Sequence, residues 1–506
     1  MTQIHTPSPH RPWILTALML FMMLAAIDVT IVSTAVPQIV ADLGDFSLFT
    51  WVFSIYLLTQ TVTIPIYGKL ADLYGRKPVL IFGSSLFLLG SMACAAAWNM
   101  PSLIVFRGIQ GLGAGAIMAT VNTLAGDLYS LEERGRVQGY LSSVWGIAAI
   151  SGPMLGGTFV EYLTWHWIFL VNIPIGLLAI TLLVLFLHEN VVRKRHQIDY
   201  LGSASILAGV GSLIFALMQG GTAWPWLSVA SISAFVVSAL LLAFAVWTQT
   251  RAAEPIMPLW LWRNPALAGA NLAMIGMGFI LMVPTAYLPT FAQSVYGLNA
   301  ISAGLVLAAI SIGWPTASTL SVKLYLRMGY RNTAFIGCLF ILIATVGFLA
   351  LPYQVSIWAI VLDQILLGAG FGLLSTPLLV GAQASVDWHQ RGVVTGANMF
   401  SRFLGQSLGI ALFGTLFNGS LIRQLSEAPA ALQQRLPNNI DEVVTKLQQP
   451  HLADDITIYL RHSVFEAIHG LYVGLAVVAV LILLIVVCSP REFGSTLQRN
   501  EIENGV

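Results

Sequence analysis

The sequence predicts an all-α integral membrane protein with fourteen transmembrane helices in a 6+2+6 arrangement. Three observations lead to this fold class: few charged residues, regularly recurring apolar runs, and the placement of lysine and arginine. Of the 506 residues, 57% are hydrophobic and only 9% are charged, whereas soluble domains carry about 25% charged residues. Little of the chain can therefore face water. The net charge of +1 gives no reason to expect a nucleic-acid partner.

Fourteen apolar runs are long enough to cross a bilayer, which takes about 20 residues of helix. A helix is expected for each run because lipid offers no other partners for backbone polar groups. We number the runs segments 1 to 14, with limits 13–36, 49–69, 78–97, 101–124, 137–159, 167–188, 200–220, 227–248, 266–291, 300–323, 332–351, 357–380, 393–418 and 464–488. The first run is too long for a signal-peptide core and lacks a cleavage site, so we expect a retained helix.

Lysine and arginine in the short loops follow even-numbered segments only. They are Lys69, Arg76, Lys77, Arg134, Arg136, Arg193, Lys194, Arg195, Arg251, Arg263, Arg327, Arg331 and Arg391, with Arg491 and Arg499 in the tail. The positive-inside rule then predicts that both termini are cytoplasmic. By the same parity the polar loop 419–463 faces outward, as a cap or as a tether. Its apolar spacing around Val443, Leu447 and Leu452 predicts short amphipathic helices.

The chain contains an internal repeat. Lys69 to Lys77 matches Lys323 to Arg331 at an offset of 254 residues, and three glycines of segment 4 match three of segment 12 at an offset of 257. The predicted domains are a six-helix bundle at 1–190, two inserted helices at 191–262, and a second six-helix bundle at 263–506 that includes loop 419–463. Duplicated bundles around a midplane site are typical of transporters.

Several motifs carry a resemblance to a known family. Residues 68–77 read Gly-Lys-Leu-Ala-Asp-Leu-Tyr-Gly-Arg-Lys, and segment 4 contains Arg107 followed by Gly111 and Gly113. Segment 5 contains Gly146, Gly152, Pro153, Gly156 and Gly157. The stretches 27–37 and 165–176 complete the pattern, with Ser33 where asparagine is usual and His166 where arginine is common. Together they resemble the major facilitator superfamily, and within it the 14-helix drug:proton antiporters, in which the segment 5 motif accompanies export.

Asp28 and Arg107 are predicted to form a proton-coupling site. An aspartate in a membrane helix costs about 2.5 to 3.5 kcal/mol, so Asp28 must be hydrated, paired or protonated. Counted from Pro37 and Pro101, the two residues lie about 13 and 9 Å deep. They can meet if segments 1 and 4 are neighbours, as the resemblance implies. A structural hydrogen bond for Asp28 and a clamp on backbone carbonyls for Arg107 are the open alternatives.

Asp363 is the second deep acid and the second candidate for proton or cation binding. Arg402, near the middle of segment 13, pairs either with Asp363 or with Asp72, and a purely structural pair stays open. Gly68, Asp72, Gly75, Arg76 and Lys77 are predicted to form a conformational latch rather than a substrate site, on a loop that also orients the chain.

Other polar and small residues receive weaker assignments. The glycines of segments 4 and 5 indicate close helix packing, and Gly152 with Pro153 also permits a bend. Asp127, Glu132 and Glu133 lie at the predicted cytoplasmic edge without an assigned role.

A substrate cavity needs apolar and aromatic walls with few polar anchors. The candidates are Trp51, Tyr56, Gln60, Asn122, Tyr287, Phe291 and Trp314. About two acids could face such a cavity, which suits monovalent lipophilic cations or neutral amphiphiles.

The resemblance implies a proton-coupled antiporter of the bacterial cytoplasmic (inner) membrane that exports lipophilic or cationic drugs and other amphipathic compounds by alternating access. Export of a lipid or an endogenous metabolite is the alternative, and a receptor built on this fold stays open. We expect a monomer in the bilayer whose partners are protons and small amphipathic substrates. The proton gradient is the expected energy source, and no cofactor is expected. A periplasmic adaptor stays open. Neither an enzyme nor a metal site is expected, since catalytic and metal-ligand motifs are missing from the sequence.

Overall fold

The computed structural model describes residues 10–32, 35–44, 48–189, 199–220, 224–298, 300–353, 355–433, 435–437, 443 and 454–491. Over these residues the fold is built from α-helices joined by short connections. The helices are α1 (Arg11–Ile31), α2 (Val36–Leu43), α3 (Phe49–Tyr74), α4 (Arg76–Ala95), α5 (Met100–Leu128), α6 (Leu131–Tyr162), α7 (Trp167–Leu170), α8 (Asn172–Phe186), α9 (Tyr200–Gln219), α10 (Val229–Arg251), α11 (Trp260–Arg263), α12 (Pro265–Tyr296), α13 (Ala300–Ala308), α14 (Ile310–Met328), α15 (Tyr330–Leu349), α16 (Ile357–Ala384), α17 (Arg391–Ser426), α18 (Ala430–Gln433) and α19 (Asp454–Cys488).

The helices pack as two bundles with an extra pair at their side. Helices α1 to α8 form the N-terminal half around one large apolar core, and α11 to α19 form the C-terminal half around another. Helices α9 and α10 pack on each other, and α9 also contacts α3 and α17. The two halves meet along α3 with α17 and along α6 with α14, so any site between them is lined by both.

Twelve of the described helices, counting α7 with α8 and α13 with α14, are long and apolar enough to cross a membrane. Helices α3 and α17 do not meet this measure, so the predicted count of fourteen spans is not confirmed. Both belong to the bundles, where α3 packs against α5 and α17 against α12.

Several predicted helix limits are wrong. Segment 1 ends at Ile31 rather than near residue 36, and a separate helix, α2, begins at Val36 with Pro37 in its first turn. Segment 5 begins six residues early, at Leu131, since Ser130 and Glu133 form a capping box that satisfies its first backbone N–H groups.

The loop predicted at 419–463 is shorter than expected, because α17 continues to Ser426 and α19 begins at Asp454. Within it, Val443 is buried and Arg435 Nη1 lies 3.0 Å from Asp455 Oδ2. The amphipathic helices predicted around Leu447 and Leu452 lie outside the described residues, as do Ser33, Arg193, Lys194, Arg195 and Arg499.

The internal repeat is visible in the turns and in the packing. Gly75 joins α3 to α4 at φ 99°, and Gly329 joins α14 to α15 at φ 86°, a left-handed conformation that glycine adopts without steric cost. A Cβ on Gly113 of α5 would overlap the backbone of Phe87 in α4, and one on Gly370 of α16 would meet the backbone of Ile341 in α15. Each half thus brings two helix backbones together through glycine.

Substituting Gly113 by alanine should destabilise the N-terminal half. The added methyl group overlaps backbone atoms of α4, which cannot rotate away, and overpacking of this kind costs about 1–3 kcal/mol. We expect a lower apparent melting temperature for the purified protein. The matched control is Gly157→Ala on the exposed side of α6, where a Cβ meets nothing within 4 Å. Equal melting temperatures for the two variants would contradict the packing role.

Candidate functional site

Asp28 and Arg107 form a buried ion pair between α1 and α5. Arg107 Nη1 lies 2.5 Å from Asp28 Oδ2, and both side chains are fully buried. Gln110 Nε2 donates to the other carboxylate oxygen at 2.7 Å, while Gln110 Oε1 accepts from Arg107 Nη1 at 2.8 Å. Asn172 Nδ2 of α8 adds a longer contact to Asp28 Oδ1 at 3.4 Å. Three polar side chains from two neighbouring helices thus enclose the Asp28 carboxylate.

The guanidinium of Arg107 is held by more than Asp28. Its Nε donates to the Val52 carbonyl of α3 at 3.2 Å, and its Cζ lies 4.2 Å from the ring centroid of Tyr56. The predicted clamp on backbone carbonyls and the predicted pairing with Asp28 therefore occur together. The pair is neutral while Asp28 is ionised. Protonation of Asp28 would leave a single positive charge in a buried place, a change large enough to affect helix packing.

The depth predicted for Asp28 rests on a wrong helix end. Helix α1 ends at Ile31, three residues after Asp28, rather than at Pro37. Thr30, in the last turn, donates its hydroxyl to the carbonyl of Ala148 in α6 at 3.0 Å. The end of α1 that carries Asp28 is therefore fixed to α6, one of the helices at the interface between the halves.

Asp363 occupies a different environment in the C-terminal half. It is partly buried on α16, and one of its oxygens accepts a hydrogen bond from Gln364 Nε2 at 2.9 Å. Among the described residues, no lysine or arginine forms an ion pair with it. The internal repeat thus duplicates the helices but not the ion pair.

Arg402 contacts neither of its predicted partners, Asp363 and Asp72, so that prediction is wrong. Helix α17 instead directs Arg402 into a cavity between the halves. Its Nε is buried without a hydrogen-bond partner, and its Cζ lies 5.0 Å from the ring centroid of Phe403. Asp72 needs no arginine from α17, because two backbone amides of that helix already bind it.

The latch residues join the two halves at one end of the bundle. Asp72 accepts from the backbone N–H groups of Gly392 at 2.9 Å and Val393 at 2.8 Å, at the start of α17. A carboxylate at a helix N-terminus is stabilised by the free N–H groups and by the helix dipole. A Cβ on Gly68 would overlap the Gly392 carbonyl, so the glycine permits this close approach.

Arg76 forms the centre of the latch. It is fully buried and donates to Asp72 at 2.8 Å, to Asp127 at 2.9 Å and to the Trp388 carbonyl at 2.6 Å. Its Cζ lies 3.6 Å from the Trp388 ring centroid. Asp127 also bonds Arg391 Nη1 at 3.0 Å. The view that Asp127 needs no role is therefore wrong, because it links an arginine from each half.

The side-chain contacts of Lys77 stay within the N-terminal half. Its ammonium group donates to the carbonyls of Val184 at 2.9 Å and Leu187 at 2.6 Å. Glu189 accepts from the backbone N–H groups of Arg76 and Lys77, both at 2.8 Å. Tyr129, between α5 and α6, donates to the Arg11 carbonyl at 3.0 Å, and burial raises the pKa of Tyr129 to about 12, so its hydroxyl remains a donor at neutral pH.

A cavity of about 270 Å³ lies between the halves. It is lined by α1, α3, α5 and α6 on one side and by α12, α13, α14 and α17 on the other. The lining residues are Met22, Val29, Thr30, Leu57, Gln60, Asn122, Gln138, Leu141, Ser142, Trp145, Ala149, Leu281, Met282, Thr285, Leu307, Ile310, Ser311, Trp314, Arg402, Phe403 and Gln406. The walls are mainly apolar, with a few amides and hydroxyls, as in sites for small amphipathic molecules.

Three of the seven predicted cavity residues, Gln60, Asn122 and Trp314, line the cavity. The other four do not. Trp51 packs on Phe215 and Tyr56 on Arg107, while Tyr287 contacts Phe417 and Phe291 belongs to the C-terminal core. The expected acids are also wrong, since no described aspartate or glutamate is among the lining residues.

Sequence reasoning missed the wall formed by α6. Gln138, Ser142, Trp145 and Ala149 line the cavity at spacings of three and four residues, which place them on one face of a helix. The sequence contains this mixed polar and aromatic stripe, but the glycine motif of the same helix predicted packing and not a cavity wall.

A family model described as Major Facilitator Superfamily matches residues 18–410. The chain belongs to the major facilitator superfamily. Multidrug resistance protein 3 of Bacillus subtilis (strain 168) is 33% identical over 420 residues, covering 82% of this chain and 81% of that protein. Multidrug transporter protein MdtP of the same strain is 30% identical over 497 residues, covering 93% and 91%. The fold is similar to the crystal structure of the human organic anion transporter MFSD10 (TETRAN), at a TM-score of 0.62 and 14% identity over 94% of this chain and 99% of that chain.

This member of the major facilitator superfamily is a multi-pass membrane protein, whose segment 5 motif lies on α6. A Cβ on Gly146 would overlap Ser311 of α14, and one on Gly152 would overlap Thr30 of α1. Pro153 lies inside the helix, Gly156 is buried and Gly157 has open space around it. The motif therefore brings α6 close to the α1 end that carries Asp28 and to the opposite half.

Proposed function

We propose that this protein is a proton-coupled antiporter that exports amphipathic compounds, drugs among them, across the bacterial cytoplasmic membrane by alternating access. The proposal rests on one observation. An apolar cavity lined by both halves lies beside the fully buried ion pair of Asp28 on α1 and Arg107 on α5. The names of two relatives, a multidrug resistance protein and a multidrug transporter, support the substrate class.

The proposal includes fourteen membrane spans, with α3 and α17 added to the twelve apolar ones. These helices have 26 and 36 residues, which at 1.5 Å per residue gives lengths of about 39 and 54 Å. Both contribute polar residues to the cavity, Gln60 from α3 and Gln406 from α17. Helices that face a cavity inside a bundle need fewer apolar residues than helices surrounded by lipid.

The contacts between the halves support alternating access. Asp72 with α17, Arg76 with Trp388 and Asp127 with Arg391 all join the halves at one end, which the positive-inside rule assigns to the cytoplasm. Near that end Gln383 Nε2 also donates to the Asn122 carbonyl at 3.1 Å. We propose that this state is closed toward the cytoplasm and that substrate entry requires these contacts to break.

Protonation of Asp28 is the proposed coupling step. In the ionised state the carboxylate binds Arg107 and Gln110, which ties α1 to α5. A proton on Asp28 removes the charge attraction and converts one oxygen from acceptor to donor, so the packing of α1 changes with proton occupancy. Asp363 remains the second candidate, because it is partly buried and has no cation beside it among the described residues.

The proposal is tested in inverted membrane vesicles that contain the full chain. A proton gradient should drive uphill accumulation of an amphipathic dye, and collapsing the gradient should stop it. Vesicles without the protein supply the background. Each addition of dye to energised vesicles should also release protons from the lumen if the two fluxes are coupled. Dye accumulation that survives collapse of the gradient would refute proton coupling, and no accumulation of any amphipathic dye would favour a lipid or metabolite as the substrate.

A further inference from the structure

Arg402 is the single ionisable side chain among the described residues that line the cavity. It lies about a third of the way along α17, its side chain is half-buried, and its Nε is buried without a hydrogen-bond partner. A cation held inside a helix bundle without a counter-charge is costly, so a protein that keeps one in a cavity gains from an anion that binds there. Phe403, over which the guanidinium lies at 5.0 Å, offers only its ring.

The deep acidic residues that could neutralise the charge of Arg402 interact with other groups. Asp28 is enclosed by Arg107, Gln110 and Asn172. Asp72 binds the start of α17 and Arg76, and Asp127 binds Arg76 and Arg391. Asp363 on α16 bonds its neighbour Gln364 and is not a lining residue.

Neutral polar groups that line the same cavity as Arg402 can complete an anion site. Both polar atoms of the Gln60 amide are buried without partners, and Gln60 lines the same cavity from the opposite half. Gln406, one helical turn after Arg402, and Ser311 also face the cavity. A carboxylate or sulfonate can accept from the guanidinium in a bidentate manner, while the apolar walls take the body of the molecule.

We propose that the cavity selects amphipathic anions, aromatic carboxylates or sulfonates, through Arg402. This inference rests on the proposed function, because it names the substrate class of that same cavity. It replaces the lipophilic cations expected from the sequence, since a cation would meet Arg402 and no lining acid among the described residues.

The experiment uses the full-length protein in lipid nanodiscs and two fluorescent probes with the same aromatic body. The first is 8-anilinonaphthalene-1-sulfonate, and the second is N-phenyl-1-naphthylamine, which lacks the sulfonate. Binding isotherms are corrected with empty nanodiscs. The variants are Arg402→Gln, Arg402→Lys, and Arg327→Gln as a control, because Arg327 is exposed in the last turn of α14.

Wild type is expected to bind the sulfonate more tightly than the neutral probe. Arg402→Gln should weaken sulfonate binding about tenfold or more, as expected for the loss of a hydrogen bond between charged groups, with no change for the neutral probe. Arg402→Lys should retain part of the preference, and Arg327→Gln all of it. Unchanged affinity for the neutral probe would also show that the Arg402→Gln variant is folded.

If Arg402→Gln weakens the binding of both probes equally, the role of Arg402 is structural and the proposal is overturned. Equal affinity of wild type for the two probes would overturn it as well. If wild type binds the neutral probe alone and still exports dyes in vesicles, the anion inference fails and the proposed function stands. If wild type neither binds a probe nor exports a dye, the proposed function itself fails.

Discussion

Replacing Asp28 by asparagine is expected to abolish proton-driven export to the level of vesicles without the protein. Asparagine matches the shape of a protonated aspartate but cannot exchange a proton. The hydrogen bond from Gln110 to position 28 can be kept, and Asp28 is not among the residues that line the cavity, so substrate binding should survive. Exchange of labelled for unlabelled substrate across the membrane, which needs no net proton movement, should therefore continue while uphill export stops.

The variant also leaves Arg107 buried without a counter-charge, which costs about 3–5 kcal/mol when one member of a buried pair is removed. A second variant separates folding from coupling: Asp28→Asn combined with Arg107→Gln removes both charges, and should recover thermal stability without recovering export. Glu161→Gln, at an exposed acid in the last turn of α6, is the matched control and should transport normally. Normal uphill export by Asp28→Asn would move the coupling role to Asp363 or elsewhere.

Replacing Arg76 by glutamine is expected to open the end of the bundle that the latch closes. Arg76 holds Asp72, Asp127 and Trp388 together, so its loss leaves the buried Asp72 without a cation and Asp127 with Arg391 alone. We expect a loss of stability of about 3–5 kcal/mol and a marked fall in export, because the two access states are no longer balanced.

Spin labels can report this opening directly. Cysteines introduced at Arg136 on α6 and Arg327 on α14, both exposed at the latch end of opposite halves, would carry the labels after Cys94, Cys338 and Cys488 are replaced. In the Arg76→Gln background the distance distribution should shift to longer values. Lys77→Gln is the control on the same loop, since the contacts of Lys77 stay within the N-terminal half. An unshifted distribution in Arg76→Gln would contradict the latch.

The helical fold was largely predictable because the bilayer restricts the possibilities for a sequence of this composition. Apolar run length located most of the helices, although only twelve meet the measure for a membrane span, and the glycine offsets revealed the repeat. Helix ends were less predictable. The start of α6 carries Glu132 and Glu133, which look like a loop until their role in the helix start is seen. In the same way, Pro37 was expected at the end of a helix but lies in the first turn of the next one.

The site was predictable where a charge lay deep in an apolar run. Asp28 and Arg107 stand out in this way, and the structure brings them into contact. Arg402 also stood out, but its surroundings depend on which face of α17 meets the other half, and sequence does not set that rotation. Asp127 was missed for a related reason, since its two arginines come from positions 51 residues before it and 264 residues after it.

The buried ion pair of Asp28 and Arg107 affects how the protein responds to the membrane voltage. While Asp28 is ionised, the pair carries no net charge and the transmembrane field exerts little net force on it. Once Asp28 takes up a proton, the positive charge of Arg107 is uncompensated inside the bundle. One elementary charge moved through the field changes the free energy by about 2.3 kcal/mol per 100 mV. Protonation of Asp28 would therefore make this pair respond to the membrane potential, so the electrical gradient and the pH gradient would act on the same proposed coupling step.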